Sequence, residues 1–167
     1  MRKNITFEEL KSSDYENKTI NQEIKSNLIA RIRAKQAVFK GLFGYEDTVV
    51  PQLKKAIIAG HHINLLGLRG QAKTKIARSM VDLLDEYMPI VKGSEINDSP
   101  YEPISKYARD LINEMGDKTP ISWVHRSQRF FEKLATPDVN VSDLIGDIDP
   151  IKAATLKLPY SDERVLH

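Results

Sequence analysis

The stretch Ile63-Asn-Leu-Leu-Gly-Leu-Arg-Gly-Gln-Ala-Lys-Thr74 joins a short apolar run to a loop with two glycines that ends in lysine and threonine. The apolar run predicts a buried strand, and the residues after Gln71 predict an amphipathic helix. A strand, a glycine loop and a helix in this order are the setting of a phosphate-binding loop, where backbone N–H groups and the helix dipole face the phosphates. In the usual pattern G-x-x-x-x-G-K-[ST], the lysine reaches the β and γ phosphates and the hydroxyl binds magnesium, and here these roles would fall to Lys73 and Thr74.

The chain departs from this pattern at Ala72, which stands where the second glycine is expected. Gly70 lies two residues earlier, so the loop still has two glycines for tight backbone geometry. Arg69 and Gln71 project from the loop and Lys75 lies in the first helical turn, where each contacts either phosphate or only solvent. The alternative is a surface turn that contains Gly, Lys and Thr by chance. The flanking strand and helix favour the phosphate-binding interpretation.

Composition limits the class of protein. The 167 residues are 41% hydrophobic and 29% charged, as in an ordinary globular domain, and no stretch approaches the roughly 20 apolar residues of a membrane span. The absence of cysteine excludes disulfides, thiolate zinc sites and cysteine nucleophiles. The amino terminus has no apolar core of a secretory signal, so we expect a cytoplasmic protein. A net charge of +2 is too small to indicate nucleic-acid binding.

The first 41 residues predict a helical extension. Thr6 with Glu9, and Thr19 with Gln22, have the spacing of capping boxes at helix starts. The second pair opens a longer helix with an apolar residue at every fourth position: Ile20, Ile24, Leu28 and Ile32. Basic residues without an intervening acid accompany it: Lys25, Arg31, Arg33, Lys35 and Lys40. A solvated face is favoured over a partner-binding patch.

Further elements are predicted on both sides of the loop. A helix begins near Thr48 and stops at Gly60, and another begins at Pro103 and stops at Gly116. The segment Lys92–Tyr101 reads as an exposed loop because it is rich in Gly, Ser, Asn, Asp and Pro. Extended character follows around Trp123-Val124 and around Phe130–Leu134.

The loop Gly67-x-x-Gly70-x-Ala72-Lys73-Thr74 resembles the alanine-bearing Walker A loop of the MoxR and magnesium-chelatase branch of AAA+ ATPases. Leu42-Phe-Gly-Tyr-Glu46 is placed like the glycine-centred box that lines the adenine pocket in this branch. Ala135-Thr-Pro-Asp-Val-Asn-Val-Ser-Asp-Leu-Ile-Gly146 is similar to the branch's T-P-D-x-x-P-S-D-x-x-G segment, with Val141 in place of the proline. The resemblance covers roughly Leu42 to Ala154.

This resemblance implies an α/β fold: a P-loop NTPase (AAA+) core, as an incomplete three-layer α/β/α sandwich with a largely parallel sheet and an N-terminal helical extension. Residues 1–41 would form the extension and residues 42–167 the first portion of the nucleotide-binding domain. The implied cofactors are ATP or ADP and Mg²⁺. The residues implied in binding them are Gly44 and Tyr45 at the base, through backbone atoms, and Gly67, Arg69, Gly70, Gln71, Ala72, Lys73, Thr74 and Lys75 at the phosphates, with Thr74 on the metal.

The full-length form is expected to assemble as a ring homo-oligomer, to act on a protein partner of unknown identity and to couple ATP hydrolysis to partner remodelling or metal insertion. The region from Thr136 to Gly146 would lie near the central pore. No apolar run in this sequence ends in Asp-Glu, the acidic pair that holds magnesium and orients water for hydrolysis. We therefore assign no catalytic residue and expect a chain truncated before Walker B, without the arginine finger, that is inactive alone.

Two other functions are open at this point. One is a non-enzymatic nucleotide-binding or helix-mediated interaction module, in which the first helices dock a partner. The other is a small-molecule kinase, which is disfavoured because no basic lid is visible. The adjacent His61 and His62 do not predict a metal site, because neighbouring side chains diverge on a strand or turn.

Overall fold

The computed structural model describes residues 3–134, 136–160 and 162–165. Contacts divide the chain into two compact units, each built from discontinuous segments. Unit 1 comprises Met1–Tyr15, Pro89–Val124 and Phe131–His167, and unit 2 comprises Glu16–Met88 and His125–Phe130. The strands and α-helices of the described residues are β1 (Ile5–Thr6), α1 (Phe7–Lys11), α2 (Ile20–Arg33), α3 (Val49–Ala59), α4 (Lys73–Ser79), β2 (Tyr87–Val91), α5 (Lys106–Met115), β3 (Pro120–His125), α6 (Ser142–Ile145) and α7 (Pro150–Leu156).

The three strands form one sheet in the order β1-β3-β2. β1 pairs with β3 in antiparallel register, with Ile5 opposite Ile121. β2 is also antiparallel to β3, because the Lys92 N–H donates to the Pro120 carbonyl while the Arg126 N–H donates to the Glu86 carbonyl. The expectation of a largely parallel sheet is wrong for these strands.

The connection between β2 and β3 explains the antiparallel pairing. A strand, a helix and a strand in sequence order suggest a parallel crossover. The ten-residue helix α5 advances the chain by only about 15 Å. The Lys92 N–H donates to the Pro120 carbonyl, so the chain between these residues returns to the end of β2, where β3 starts. The strand–helix–strand order predicts the elements but not the direction of β3 relative to β2.

Unit 1 has a small apolar core beneath β1 and β3. Phe7, Leu10 and Ile121 are buried there, and Tyr101 packs its ring edge-on against Phe7 with 5.3 Å between the ring centroids. The predicted capping box at Thr6 and Glu9 forms and starts α1 directly after β1. The predicted strand around Trp123-Val124 is β3, and no strand covers Phe130–Leu134 within the described part of the chain.

Unit 2 is helical. Its core joins side chains from α2, the turn after it, α3, α4 and the 3-10 helix Met80–Leu83 that follows α4: Leu28, Val38, Phe39, Leu42, Leu53, Ile57, Ile76 and Leu83. Full burial of such a side chain contributes about 1.5–3 kcal/mol to folding. The predicted capping box at Thr19 and Gln22 starts α2, and Gly60 ends α3 in the left-handed conformation.

α2 belongs to this core. Leu28 of α2 is fully buried in the same cluster as Leu42 and Ile76. The predicted boundary between residues 41 and 42 therefore falls inside unit 2. The domain organisation inferred from the family resemblance stays a prediction.

Candidate functional site

The apolar run before the loop, Ile63–Leu66, alternates between partly buried and exposed residues but pairs with no described strand. Ile63 and Leu65 pack against the unit 2 core, while Asn64 and Leu66 are exposed, which is the alternation of a half-buried strand. No strand is assigned to these residues, and none of the three described strands pairs with them. The predicted strand is wrong in hydrogen bonding, although its side-chain alternation is present. Leu66 is 87% exposed, so the run enters the loop along the surface.

Ala72 has a glycine-type backbone. Its φ of 54° and ψ of 17° lie in the left-handed region, and its carbonyl accepts the Ile76 N–H in the first turn of α4. A left-handed conformation costs a residue with a side chain about 1–2 kcal/mol. The position where the phosphate-loop pattern expects glycine therefore has the conformation that glycine favours, despite the alanine.

Lys73 folds back over the start of the loop. Its Nζ donates to the Gly67 carbonyl at 2.8 Å and to the Leu68 carbonyl at 2.5 Å. These bonds place an ammonium group over the loop that the sequence assigns to phosphate. Because the loop is exposed, this charge is reachable from solvent.

The remaining loop side chains differ in their contacts. The Gln71 Oε1 accepts the Leu68 N–H at 2.9 Å, so this amide is bonded within the loop. Arg69 and Thr74 are exposed. Thr74 is thus an exposed residue one position after the lysine, and its contact with magnesium stays a prediction.

The turn proposed for the base lies against α4. The Lys75 Nζ donates to the Gly41 carbonyl at 2.6 Å, so Lys75 contacts this turn. Gly44 is exposed with a φ of 80°. The Tyr45 carbonyl accepts the N–H groups of Thr48 and Val50 and starts α3. Of the two predicted base contacts, the Tyr45 carbonyl is therefore already engaged.

The downstream segment that resembles the family belongs to unit 1, whereas the loop belongs to unit 2. Its first residue, Ala135, lies outside the described residues. Asp143 at the start of α6 accepts the Asn140 N–H and pairs with Lys133 at 3.2 Å. The pKa of Asp143 lies below its usual value. The largest cause is the hydrogen bond from the Asn140 N–H, and the hydrogen bond from Lys133 and its positive charge contribute further.

The predicted basic face of α2 is partly engaged. Lys25, Arg33, Lys35 and Lys40 are exposed. Arg31 instead donates to the Asp82 carbonyl, within unit 2. His61 and His62 are exposed, and among the described residues no three His, Asp or Glu side chains come together as a metal site.

Two buried carboxylates are absent from the sequence-based expectations. Glu23 of α2 forms a two-point ion pair with Arg129 at 2.6 and 2.7 Å, and its Oε1 also accepts the Asp85 N–H at 2.6 Å. The side chains of Glu23 and Arg129 are only 6% and 9% exposed. No local pattern signals this pair, because 106 residues separate its members.

The other buried carboxylate is Asp98, in the segment predicted to be an exposed loop. It is 4% exposed and accepts the Ser94 hydroxyl at 2.6 Å and the Ile104 and Ser105 N–H groups at 2.7 and 2.9 Å. Burial alone would raise its pKa, but the bonds from Ser105, Ser94 and Ile104 together hold the pKa below its usual value. Asp98 thus orders the segment that leads into α5.

Unit 1 also contains a cavity of about 440 Å³ at the amino end of α5. Its lining carries charges of both signs, and the Asp162–Arg164 pair on its wall is 2.7 Å apart. Hydrogen bonds from Arg164 lower the pKa of Asp162 to about 2. Because acids and bases on this wall are mixed, its charge selects no class of ligand.

Comparisons with known proteins identify no relative: no family model, no curated protein sequence and no solved structure matches the chain. In the part of the chain that the structure describes, none of the helices combines the length and apolar character needed to cross a membrane.

Proposed function

We propose that this chain binds an adenine nucleotide, ATP or ADP with Mg²⁺, at the loop Gly67–Thr74. One observation carries the proposal: Lys73 lies over a loop whose glycine-pattern position, Ala72, has a glycine-type backbone directly before α4. A flexible ammonium group beside exposed backbone amides is the arrangement that attracts phosphate oxygens. The residue types fit the ligand, since Thr74 offers a hydroxyl oxygen to a magnesium ion that would neutralise phosphate charge.

We further propose that the chain is the ATP-binding portion of an AAA+ ATPase of the MoxR and magnesium-chelatase type. The proposed fold remains the incomplete P-loop NTPase core, and the proposed full-length form is a ring that remodels a partner or inserts a metal. The support is the sequence of the loop, of Leu42–Glu46 and of the segment that ends at Gly146. The antiparallel sheet and the unpaired run Ile63–Leu66 give this fold no support.

The first prediction concerns Lys73→Ala. This substitution removes the lysine ammonium group and with it one charge-assisted phosphate contact, which is worth about 1.5–3 kcal/mol. The Kd for MgATP should therefore rise about 10- to 150-fold. Isothermal titration calorimetry measures the change. Lys55→Ala is the matched control, because Lys55 is an exposed lysine on α3 and should leave the Kd within about twofold. An unchanged Kd for Lys73→Ala would contradict the proposed contact between Lys73 and phosphate.

A second prediction isolates the metal contact. Thr74→Ala should weaken ATP binding about 3- to 10-fold in magnesium, because one neutral oxygen contact is lost. In EDTA the same variant should bind ATP like the unaltered chain. Thr74→Ser keeps the hydroxyl and is the control in both buffers. Equal losses with and without magnesium would show that Thr74 acts on the loop rather than on the metal.

The alternative is a non-enzymatic module that binds a partner through its first helices. The exposed basic side chains of α2 and the turn after it favour it. Deletion of residues 1–40 is a poor test, because it removes Leu28 from the unit 2 core. The Lys73→Ala titration separates the two: loss of ATP binding supports the nucleotide site, and a chain that binds no nucleotide favours the helix-mediated module.

A further inference from the structure

Lys75 joins two segments that the sequence separates. It lies in the first turn of α4, two residues after Lys73, and its Nζ donates to the Gly41 carbonyl at 2.6 Å. Gly41 begins the turn that contains Gly44 and Tyr45. The phosphate loop and the turn proposed for the base are therefore tied by a charge-assisted hydrogen bond across 34 residues of sequence.

Apolar packing supports the same tie. Leu42, next to Gly41, and Ile76, next to Lys75, are both buried in the unit 2 core. Gly41 has a φ of 75°, and a Cβ at this position would lie 3.2 Å from the Lys75 Nζ. The left-handed backbone of Gly41 favours glycine, and the flexible end of Lys75 would have to shift by a few tenths of an ångström to admit a Cβ.

The Lys75 ammonium group is already engaged in a hydrogen bond to the Gly41 carbonyl. An ammonium group bonded to Gly41 faces the turn rather than the loop that holds Lys73. Lys73 and Lys75 therefore have different contacts although both are predicted phosphate ligands: Lys73 bonds the carbonyls of Gly67 and Leu68, and Lys75 bonds the carbonyl of Gly41.

We propose that Lys75 is a positioning residue that fixes the turn Gly41–Tyr45 beside the phosphate loop, so that the site prefers a nucleoside triphosphate to inorganic polyphosphate. The inference rests on the proposed nucleotide binding at Gly67–Thr74. A ligand with a base contacts both segments, so their fixed spacing increases its affinity. Inorganic tripolyphosphate contacts only the loop, so the spacing of the two segments does not change its affinity.

The test compares ATP and inorganic tripolyphosphate by calorimetry for the unaltered chain, Lys75→Met, Lys75→Arg and Lys55→Met. Methionine keeps an unbranched side chain but removes the donor. Loss of one hydrogen bond at an exposed position should raise the ATP Kd of Lys75→Met about 3- to 10-fold. Its tripolyphosphate Kd should stay within about twofold, and Lys75→Arg should restore most of the ATP affinity. Lys55→Met, on the exposed side of α3, should match the unaltered chain for both ligands.

Each other outcome identifies a different failure. Equal losses for ATP and tripolyphosphate would overturn the inference and make Lys75 a phosphate ligand. An unchanged ATP Kd for Lys75→Met would show that the tie has no role in binding. An unaltered chain that binds tripolyphosphate as tightly as ATP would overturn the preference but leave the phosphate loop in place. A chain that binds neither ligand would overturn the proposed function itself.

Discussion

Arg129→Met is expected to lower the free energy of unfolding by about 3–5 kcal/mol, because it leaves the Glu23 carboxylate buried without its partner. Glu23 keeps only the Asp85 N–H among the three donors that surround it, at 2.6 Å. Methionine preserves much of the arginine stem, so the loss is mainly that of charge pairing. Urea denaturation followed by circular dichroism measures the change, with the slope m tested for constancy.

A matched control is Arg33→Met, since Arg33 is an exposed arginine at the end of α2. It should cost less than about 1 kcal/mol. The double variant Glu23→Gln with Arg129→Met removes both charges but keeps a side-chain oxygen for the Asp85 N–H, so it should recover part of the loss because no uncompensated charge stays buried. A double variant no more stable than Arg129→Met alone would contradict the uncompensated charge as the cause.

Asp98→Ala should lower the free energy of unfolding by about 2–4 kcal/mol, because it leaves the Ile104 and Ser105 N–H groups and the Ser94 hydroxyl without their acceptor. Asp98→Asn retains an oxygen acceptor of the same shape and should cost less, about 1–2 kcal/mol. Urea denaturation measures both variants. If Asp98→Asn proved as costly as Asp98→Ala, the negative charge rather than the hydrogen-bond geometry would be the important term.

The pKa of Asp98 adds a pH dependence. Its folded pKa lies below the ordinary value of 3.8, so ionisation stabilises the fold. This contribution is fully present above the unfolded pKa and is lost as the pH falls through the folded pKa. The difference in unfolding free energy between the unaltered chain and Asp98→Asn should therefore be constant from pH 7 to 5 and shrink below about pH 4. A difference that grew on acidification would contradict the direction of the shift.

Local sequence rules predicted helix ends well. The hydroxyl and carboxyl or amide spacings at Thr6 and Thr19 form the capping boxes expected of them, and Gly60 ends α3 with a left-handed backbone. Each feature is decided by residues within one or two turns of each other. For that reason the sequence alone was sufficient for them.

Long-range pairing was beyond these rules. The alternation in Ile63–Leu66 gives the two faces of an extended segment, but hydrogen bonding requires a neighbouring strand that alternation cannot identify. The direction of β2 against β3 depends on the path of residues 92–105, where the buried Asp98 folds the chain back by offering its carbonyl to the Val91 N–H. A polar residue in a loop-like composition predicts exposure, and its burial depends on donors at Ser94, Ile104 and Ser105.

In the candidate site, too, the local features could be predicted from the sequence and the long-range contact could not. The lysine, the threonine and the glycine-like position before them could be predicted from spacing, and Ala72 has the backbone that this spacing requires. The hydrogen bond between Lys75 and Gly41 could not be predicted from spacing, because it depends on how α4 packs against the turn after α2. Nucleotide binding and its cofactors stay predictions.

The discontinuous make-up of unit 2 affects the order in which the chain can fold during synthesis. The ribosome delivers the Glu16–Met88 part of unit 2 well before Arg129, because the segment Pro89–Val124 of the other unit lies between them. Until then the Glu23 carboxylate has no arginine to bury against, and closing so long a loop is entropically costly. The helices of unit 2 can form early, but the Glu23–Arg129 ion pair can close only after residues 125–130 have emerged.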